Sequence, residues 1–127
     1  MARILIIEDD DLVRSVLKER LSRAGHDVRE SPNGRMGMSC LQSAAFDLVV
    51  TDIIMEEGDG IEAIRELRQR LPGVKIIAIS GGGRIGPAVY LDLAEKCGAH
   101  RTFAKPFPME GLLKAIGDLL GDETRKR

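Results

Sequence analysis

The sequence predicts an α/β domain in which helices cover both faces of a parallel, doubly wound sheet built from five consecutive βα units. Short uninterrupted apolar runs, typical of strands buried on both faces, alternate along the chain with longer segments whose apolar residues recur at helical spacing. Each connection between these runs is long enough to hold a helix, and right-handed crossovers lay such helices against the sheet.

The first half of the chain begins with its clearest strand, the apolar run at 4–7. Apolar residues then recur at helical spacing from Leu12 to Leu21, which predicts a helix over about 11–24 with Gly25 as its stop. The other elements predicted in this half are a strand at 26–30, a helix that begins near Met36 after the turn sequence Ser31-Pro32-Asn33-Gly34, and a strand at 46–51 that ends on Asp52.

The second half repeats the alternation. A loop at Gly58-Asp59-Gly60 leads into a helix whose apolar stripe runs from Ile61 to Leu71, and Pro72-Gly73 closes it. The remaining predicted elements are strands at 74–79 and 101–104, a helix over 87–97 and a final helix that carries the apolar residues from Leu112 to Leu120.

Length and composition restrict the class of protein. The 127 residues suit one domain, predicted over 1–121, followed by a short polar tail at 122–127. A charged fraction of 31% with a net charge of −1 favours no nucleic-acid or membrane surface. Because no apolar stretch reaches about 18 residues, we expect a cytoplasmic location. Cys40 and Cys97 lie in no zinc-binding spacing and are expected to be reduced.

Ionisable and hydroxyl side chains follow the predicted strands at the points where the strands end. Glu8 and Asp9 follow the first strand, and Asp52, Ser80 and Lys105 follow the third, fourth and fifth. The carboxyl ends of parallel strands meet at one edge of a sheet. If the first and third strands are neighbours, three carboxylates and one lysine therefore converge on one concavity.

Such a group of carboxylates predicts a bound cation, because like charges a few ångströms apart raise one another's pKa and oppose folding. Ligation by a few carboxylates, completed by water and phosphate, is the preference of Mg²⁺ rather than of zinc. With the ion present, a carboxylate can attack phosphorus while the lysine neutralises the phosphoryl oxygens. Asp52 is the best-placed nucleophile.

The acidic run from Glu8 to Asp11 also has a simpler interpretation. Carboxylates favour the positive end of a helix, and Asp10 and Asp11 are expected as N-cap and first-turn residues. It is the joint placement of site residues at four strand ends that favours phosphoryl chemistry.

Five short motifs in order along the chain resemble the receiver domain of bacterial response regulators, which act in two-component signalling. They are Ile-Leu-Ile-Ile-Glu8-Asp9-Asp10, Leu-Val-Val-Thr-Asp52-Ile-Ile-Met55, Gly58-Asp59-Gly60, Ile79-Ser80-Gly81 and Lys105-Pro106-Phe107. The resemblance extends from Arg3 to about Leu120. It implies a flavodoxin-like (βα)5 sheet with strand order 2-1-3-4-5, and a receiver of the stand-alone type.

The resemblance further implies that Asp52 accepts a phosphoryl group from a histidine kinase or a histidine phosphotransfer protein in a reaction that requires Mg²⁺. Asp9 and Asp52 would bind the ion directly, together with the backbone carbonyl of Ile54, and Glu8 would act through a water molecule. The protein would then phosphorylate itself with the help of Mg²⁺, and it is expected to be a phosphoacceptor rather than a turnover enzyme.

The same resemblance assigns the switch. Lys105 would pair with the phosphoryl group, and the Lys105-Pro106 bond would be cis, which proline makes accessible. Ser80 would be the hydroxyl that moves to bond a phosphoryl oxygen, and Gly81 would leave room beside it.

Several positions depart from the family's pattern. Glu56 replaces the usual proline, which is expected to loosen the loop after the third strand. Thr102 occupies the position of the Tyr or Phe that swings inward in many receivers, so an aromatic switch is not available there. Phe103 faces the opposite side of the sheet and is predicted to be core. Ile54 and Gly82, at the family's tuning positions, cannot hold a water for in-line attack, which predicts slow self-dephosphorylation.

The sequence disfavours two other functions and leaves a third open. In an FMN-binding flavodoxin, Glu8, Asp9 and Asp10 would repel the phosphate of the cofactor. A phosphatase-type hydrolase usually carries Asp-x-Asp after its first strand and is longer than this chain. The alternative that stays open is a receiver-like binding module that works without phosphorylation. Thr102 keeps this alternative open, whereas the intact set of Glu8, Asp9, Asp52, Ser80 and Lys105 argues against it.

The output is expected to be contact with another protein, made by a monomer or weak dimer without nucleic acid or membrane. The face formed by the fourth helix, fifth strand and fifth helix is the predicted docking surface. Four residues are candidates to line it: Arg84, Tyr90, His100 and Arg101.

Overall fold

The computed structural model describes residues 2–53, 60–81 and 87–125, and among these the side chains of all but 60, 87–90 and 122–125. The strands are β1 (Arg3–Ile7), β2 (Asp27–Ser31), β3 (Leu48–Asp52), β4 (Lys75–Ser80) and β5 (Arg101–Ala104). The helices are α1 (Asp11–Arg23), α2 (Gly34–Ser43), α3 (Gly60–Arg70), α4 (Pro87–Cys97) and α5 (Met109–Arg125). All strand pairs are parallel and the order is β2-β1-β3-β4-β5, which confirms the predicted fold.

The sheet separates two apolar layers, because successive strand residues point to opposite faces. Ile4, Ile6, Val50, Ile77 and Ile79 pack with residues of α1 and α5 on one face. The other face packs against α2, α3 and α4, and its strand residues include Leu5, Ile7, Val49, Ile76 and Ala78. Burial on both faces explains why the strands were recognisable as continuous apolar runs.

Two helices extend beyond their predicted limits. α2 begins at Gly34, before the predicted Met36, because the side chain of Asn33 caps it and accepts the Met36 N–H at 2.9 Å. α5 continues through Arg125, into the stretch predicted as a polar tail. Among the described residues, every helix is too short or too polar to span a lipid bilayer.

Thr102 and Phe103 lie on opposite faces of β5. Thr102 is in register with Ala78, on the side of α4, and Phe103 is in register with Ile79, on the side of α1 and α5. Phe103 is partly buried against the core, and its ring centroid lies 5.8 Å from that of Phe107. The packing of Phe103 confirms its predicted orientation.

Candidate functional site

The predicted site residues are brought together at the carboxyl edge of the sheet. Glu8 directly follows β1, Asp52 and Ser80 end β3 and β4, and Lys105 directly follows β5. β3 lies between β1 and β4, so Asp52 occupies the centre of this edge. The strand order, and not closeness in sequence, therefore assembles the site.

Lys105 joins the two buried carboxylates. Its Nζ lies 2.6 Å from Glu8 Oε1 and 3.0 Å from Asp52 Oδ2, to which it donates a hydrogen bond. Glu8 is 1% exposed and Asp52 4% exposed. Glu8 Oε1 accepts no well-aligned hydrogen bond from the described residues, so its contact with Lys105 is an ion pair. Removing the lysine would leave two buried charges without their cation.

Asp9 completes a group of three carboxylates. One oxygen from each of Glu8, Asp9 and Asp52 lies within 4.8 Å of the others, and Asp9 is exposed to solvent. A single lysine leaves this group with excess negative charge. Closely spaced carboxylate oxygens with one open side fit a hard cation such as Mg²⁺, which keeps several waters when it binds.

Burial and the close spacing of these charged groups shift the pKa values of Glu8 and Lys105. Burial raises the pKa of Glu8 to about 7, the Lys105 ammonium opposes this rise, and the nearby Asp52 adds to it. Burial alone would lower the pKa of Lys105, but the contacts with Glu8 and Asp52 outweigh burial and raise it. The lysine is therefore held in its charged form beside Asp52.

The loop after β1 is fixed by hydrogen bonds that orient Glu8. The backbone N–H of Asp10 donates to Glu8 Oε2 at 3.0 Å, and Asp10 Oδ1 caps α1 by accepting the N–H groups of Leu12 and Val13. Arg14 Nη1 donates to the carbonyl oxygen of Glu8 at 2.9 Å. The acidic run thus serves both the helix start and the site.

The role of Arg14 was missed by the sequence analysis. The i, i+3 spacing of Asp11 and Arg14 is typical of an ion pair on a helix, and Arg14 Nη2 lies 2.6 Å from Asp11 Oδ1. Its bond to the Glu8 carbonyl depends on the path of the loop, which no local pattern specifies.

Ser80 and Lys105 are linked through the backbone. The N–H of Lys105 donates to the Ser80 carbonyl at 2.9 Å, and the Ser80 side chain is fully buried. The Lys105-Pro106 bond is cis, as the resemblance implied. A methyl group added at Gly81 would lie 3.7 Å from Lys105 Cδ, an ordinary contact distance, so the special role of Gly81 stays a prediction.

Some predicted residues are not tested by the structure. Ile54, Glu56, Gly82 and Arg84 lie outside the described residues, and so does the side chain of Tyr90. Two other candidates for the docking surface make structural contacts: Ile76 N–H donates to His100 Nδ1 at 3.0 Å, and Arg101 Nη1 donates to the His100 carbonyl at 2.9 Å. His100 precedes β5 and so lies at the opposite edge of the sheet from the acidic group.

Comparisons with known proteins agree with this geometry. Residues 4–117 match the family model described as response regulator receiver domain. The chain is 34% identical to the response regulator receiver protein CpdR of Brucella abortus, over 94% of this chain and 98% of CpdR. It is 30% identical to the DNA-binding transcriptional regulator NtrC of Rhizobium meliloti over 98% of this chain, but spans only 25% of NtrC.

A solved structure provides a similar fold with ions bound. The response regulator TrrA of Thermotoga maritima, in complex with Mg²⁺ and BeF, superposes with a TM-score of 0.82 at 28% identity, over 94% of this chain and 99% of TrrA. Receiver domains of this family are signalling domains rather than typical turnover enzymes. From the family match across residues 4–117, and from the acidic group that ends β1 and β3, the chain belongs to the receiver domains of two-component response regulators.

Proposed function

We propose that this receiver accepts a phosphoryl group on Asp52 from a histidine kinase or a histidine phosphotransfer protein, in a reaction that depends on Mg²⁺, and signals through contacts with other proteins. The observation that carries the proposal is the position of Lys105 Nζ, which bridges two nearly buried carboxylates at 2.6 and 3.0 Å. A structural ion pair needs only one carboxylate for each cation. The extra negative charge favours a site built for a cation and a phosphoryl group.

Asp52 is the nucleophile in this proposal. One of its carboxylate oxygens forms a bond to phosphorus as the bond from phosphorus to the donor nitrogen breaks, and the histidine departs with that electron pair. Lys105 stays charged, because the surrounding carboxylates raise its pKa. It is placed to pair with the phosphoryl oxygens and to leave Asp52 Oδ2 as charge moves onto the phosphate.

Asp9 and Asp52 would hold Mg²⁺ directly in this proposal, with the backbone carbonyl of Ile54, and Glu8 would act through a water molecule. Their oxygens lie within 4.8 Å of one another, and Asp9 faces solvent, so the described residues fit such an ion. When bound, Mg²⁺ supplies positive charge to the phosphoryl oxygens and orients them for in-line attack. Glu8 orients the ligand set from the buried side, because Asp10 N–H and Lys105 hold its two oxygens.

In this proposal, phosphorylation of Asp52 is communicated to a partner protein through the ends of β4 and β5. Ser80 is the proposed switch hydroxyl, and its carbonyl accepts the Lys105 N–H, so a movement of either residue is shared by both strand ends. Thr102 lies on the α4 side beside Ala78, with no bulky ring to rotate. We therefore infer that the response is carried by displacement of these strand ends rather than by an aromatic rotamer.

Incubation with Mg²⁺ and acetyl phosphate, followed by intact mass measurement, tests the proposal. We expect a single phosphoryl adduct that disappears when Mg²⁺ is chelated and does not form in Asp52→Asn. Asp47→Asn is the matched control, because Asp47 bonds Arg3 N–H at the far edge of the sheet. Absence of an adduct, together with no Mg²⁺-dependent NMR shift at Asp9 or Asp52, would reject the proposal and leave the phosphorylation-independent binding module.

A further inference from the structure

Basic side chains gather at the edge of the sheet opposite the acidic pocket. This basic patch consists of Arg68 in the last turn of α3, Lys75 at the start of β4, and His100 and Arg101 at the start of β5. The charges of the two arginines and the lysine all lower the pKa of His100, after burial, so all three cations lie near one imidazole ring. Among the residues that the structure describes, no carboxylate contributes to that shift. The surroundings of His100 therefore carry net positive charge.

The two arginines of the basic patch are not neutralised by carboxylates. Several exposed cations on α1, α3, α4 and α5 lie 3.1–4.0 Å from a carboxylate oxygen. In contrast, Arg68 Nη1 donates to the Pro72 carbonyl at 3.1 Å, and Arg101 Nη1 donates to the His100 carbonyl at 2.9 Å. Within the described part of the chain, neither guanidinium forms an ion pair. Because a carbonyl carries no net charge, each arginine keeps its full positive charge and several N–H groups for an anion.

The side chain of Arg68 is held in place by the turn that follows α4. Gly98 in this turn has a φ of +125°, and a Cβ there would collide with Arg68 Cγ and lie 2.7 Å from Arg68 Cδ. The stem of the arginine thus rests against a glycine, while its head is bound to the Pro72 carbonyl. A side chain that is already held loses less conformational entropy when it binds a ligand. The basic patch is therefore prepared for binding.

We propose that the basic patch docks an acidic segment of a partner protein, one that presents at least two neighbouring carboxylates. A guanidinium pairs with a carboxylate through two parallel N–H bonds, which matches the two available arginines. Arg101 is exposed and the other members are partly exposed, so the patch is an open surface rather than the enclosed pocket that a small molecule prefers.

The charge of the whole chain favours a short acidic segment over a long polyanion such as nucleic acid. The net charge is −1, so the patch is a local positive area on a protein without overall attraction for polyanions. Asp47 also limits the patch on the side of β3: its carbonyl accepts the Lys75 N–H at 3.0 Å, and its exposed carboxylate accepts the Arg3 N–H. The positive area therefore ends between β3 and β4.

Docking at this edge leaves the acidic pocket accessible. Asp52 ends β3 at the opposite edge of the sheet, so a phosphoryl donor and the acidic partner can bind at the same time. The inference specifies the protein contact of the proposed function and rests on it in that respect, whereas the docking itself requires no phosphorylation. A test on the unphosphorylated protein therefore fails or succeeds independently of the chemistry at Asp52.

NMR titration of the two histidines, with and without a peptide of six aspartates, is the test. The peptide is used at about 5 mM, because pairs of exposed charges bind weakly. A bound anion offsets the cations that lower the pKa of His100, so this pKa should rise, with the proton affinity increasing about twofold or more. His26 is the internal control, because it precedes β2, the strand farthest from β5. A peptide of six asparagines should shift neither histidine.

The double variant R68Q/R101Q assigns the binding to the patch. It should raise the pKa of His100 in the absence of peptide, because two nearby cations are lost, and should reduce the peptide-induced shift severalfold. K18Q/R23Q makes the same change in net charge on α1, where Glu30 and Glu19 pair with the two cations, and should leave the shift unaltered.

Three outcomes would overturn the proposal. The first is a wild-type pKa of His100 that does not change with the aspartate peptide. The second is an equal shift of His26, or an equal loss of the shift in K18Q/R23Q, since either would indicate attraction without a defined site. The third is tighter binding of an oligomer of six thymidines than of six aspartates, which would assign the patch to nucleic acid.

Discussion

His100 and Ile76 bind each other in both directions, at the edge of the sheet opposite the acidic pocket. The N–H of His100 donates to the Ile76 carbonyl at 2.8 Å, and the N–H of Ile76 donates to His100 Nδ1 at 3.0 Å. The second bond requires an unprotonated Nδ1, so it exists only while this nitrogen is free of a proton. The start of β5 is thereby tied to β4.

We predict that protonation of His100 destabilises the fold. Burial lowers the pKa of His100 below its usual 6.5, and the nearby Lys75, Arg68 and Arg101 lower it further. The unfolded chain then binds this proton more readily than the folded one. The stabilising contribution is complete above 6.5 and is lost as pH falls from 6.5 through the lower pKa of the folded state.

Urea unfolding of wild type and His100→Gln at a series of pH values measures this contribution. The free energy of unfolding should fall more steeply with acid in the wild type than in the variant. The two proteins must be compared because Glu8 affects stability in the opposite sense and is present in both. Its pKa is raised from 4.5 to about 7 in the folded protein, so its contribution to the free energy of unfolding is lost as pH rises through that range. Lys114→Gln, at an exposed site, should give a curve parallel to wild type. Parallel curves for His100→Gln and wild type would contradict the prediction.

Asp52→Asn should lower the pKa of Glu8. The Asp52 carboxylate is one of the causes of the rise to about 7, and replacing it with a neutral amide removes its repulsion. The pKa should fall only part of the way to 4.5, because burial is the largest cause and remains. NMR titration of the side-chain carboxyl carbon of Glu8 without Mg²⁺ would measure the change. Glu62→Gln on α3 should leave the pKa of Glu8 unaltered. An unchanged pKa of Glu8 in Asp52→Asn would contradict the prediction.

Alanine substitutions at two helical glycines should change stability in opposite directions. A Cβ at Gly37 would lie 2.5 Å from Ile7 Cδ1, and Ile7 is fully buried and cannot yield. Overpacking of this kind costs about 1–3 kcal/mol, which exceeds the helix propensity gained. Among the described residues, a Cβ at Gly117 of α5 would meet no atom within 4 Å apart from its chain neighbours and the adjacent backbone of its own helix, so Gly117→Ala should stabilise the protein by about 0.5–1 kcal/mol. Thermal unfolding would compare them, and stabilisation by Gly37→Ala would show that α2 can move away from β1.

Ile54→Asn should shorten the lifetime of the phosphorylated protein severalfold, provided that Asp52 is the phosphoacceptor. The prediction follows from the family resemblance: an apolar side chain two residues after the phosphoacceptor cannot hold the attacking water, whereas an amide can. Loss of the adduct over time, followed by intact mass after removal of the donor, would measure it. Leu93→Asn provides the control for a new amide elsewhere. A lifetime that is unchanged or longer in Ile54→Asn would count against the prediction.

Local patterns were sufficient to predict the alternating strands and helices and most of the candidate site, whereas the strand order followed from the family resemblance. Helices cover both faces of the sheet, so consecutive residues of each inner strand are mostly apolar. Such strands can be recognised in the sequence as continuous apolar runs. Glu8, Asp52 and Lys105 could be selected because functional side chains in parallel sheets follow strand ends, a position visible in the sequence. The orientation of Phe103 followed from the two-residue period of a strand.

Other features depended on the tertiary structure. The bond from Arg14 to the Glu8 carbonyl depends on the path of a loop, and the start of α2 depends on whether Asn33 caps it. The raised pKa of Glu8 depends on how completely the surrounding elements exclude water, and the bond between His100 and Ile76 depends on contacts between residues 24 apart in the chain. The sequence by itself determined which residues end the strands, because that information is local. The packing of distant elements decided the pKa values, the hydrogen-bond partners and the burial of those residues. These properties depend on the whole chain, because burial and the distance between partners arise only when distant elements pack together.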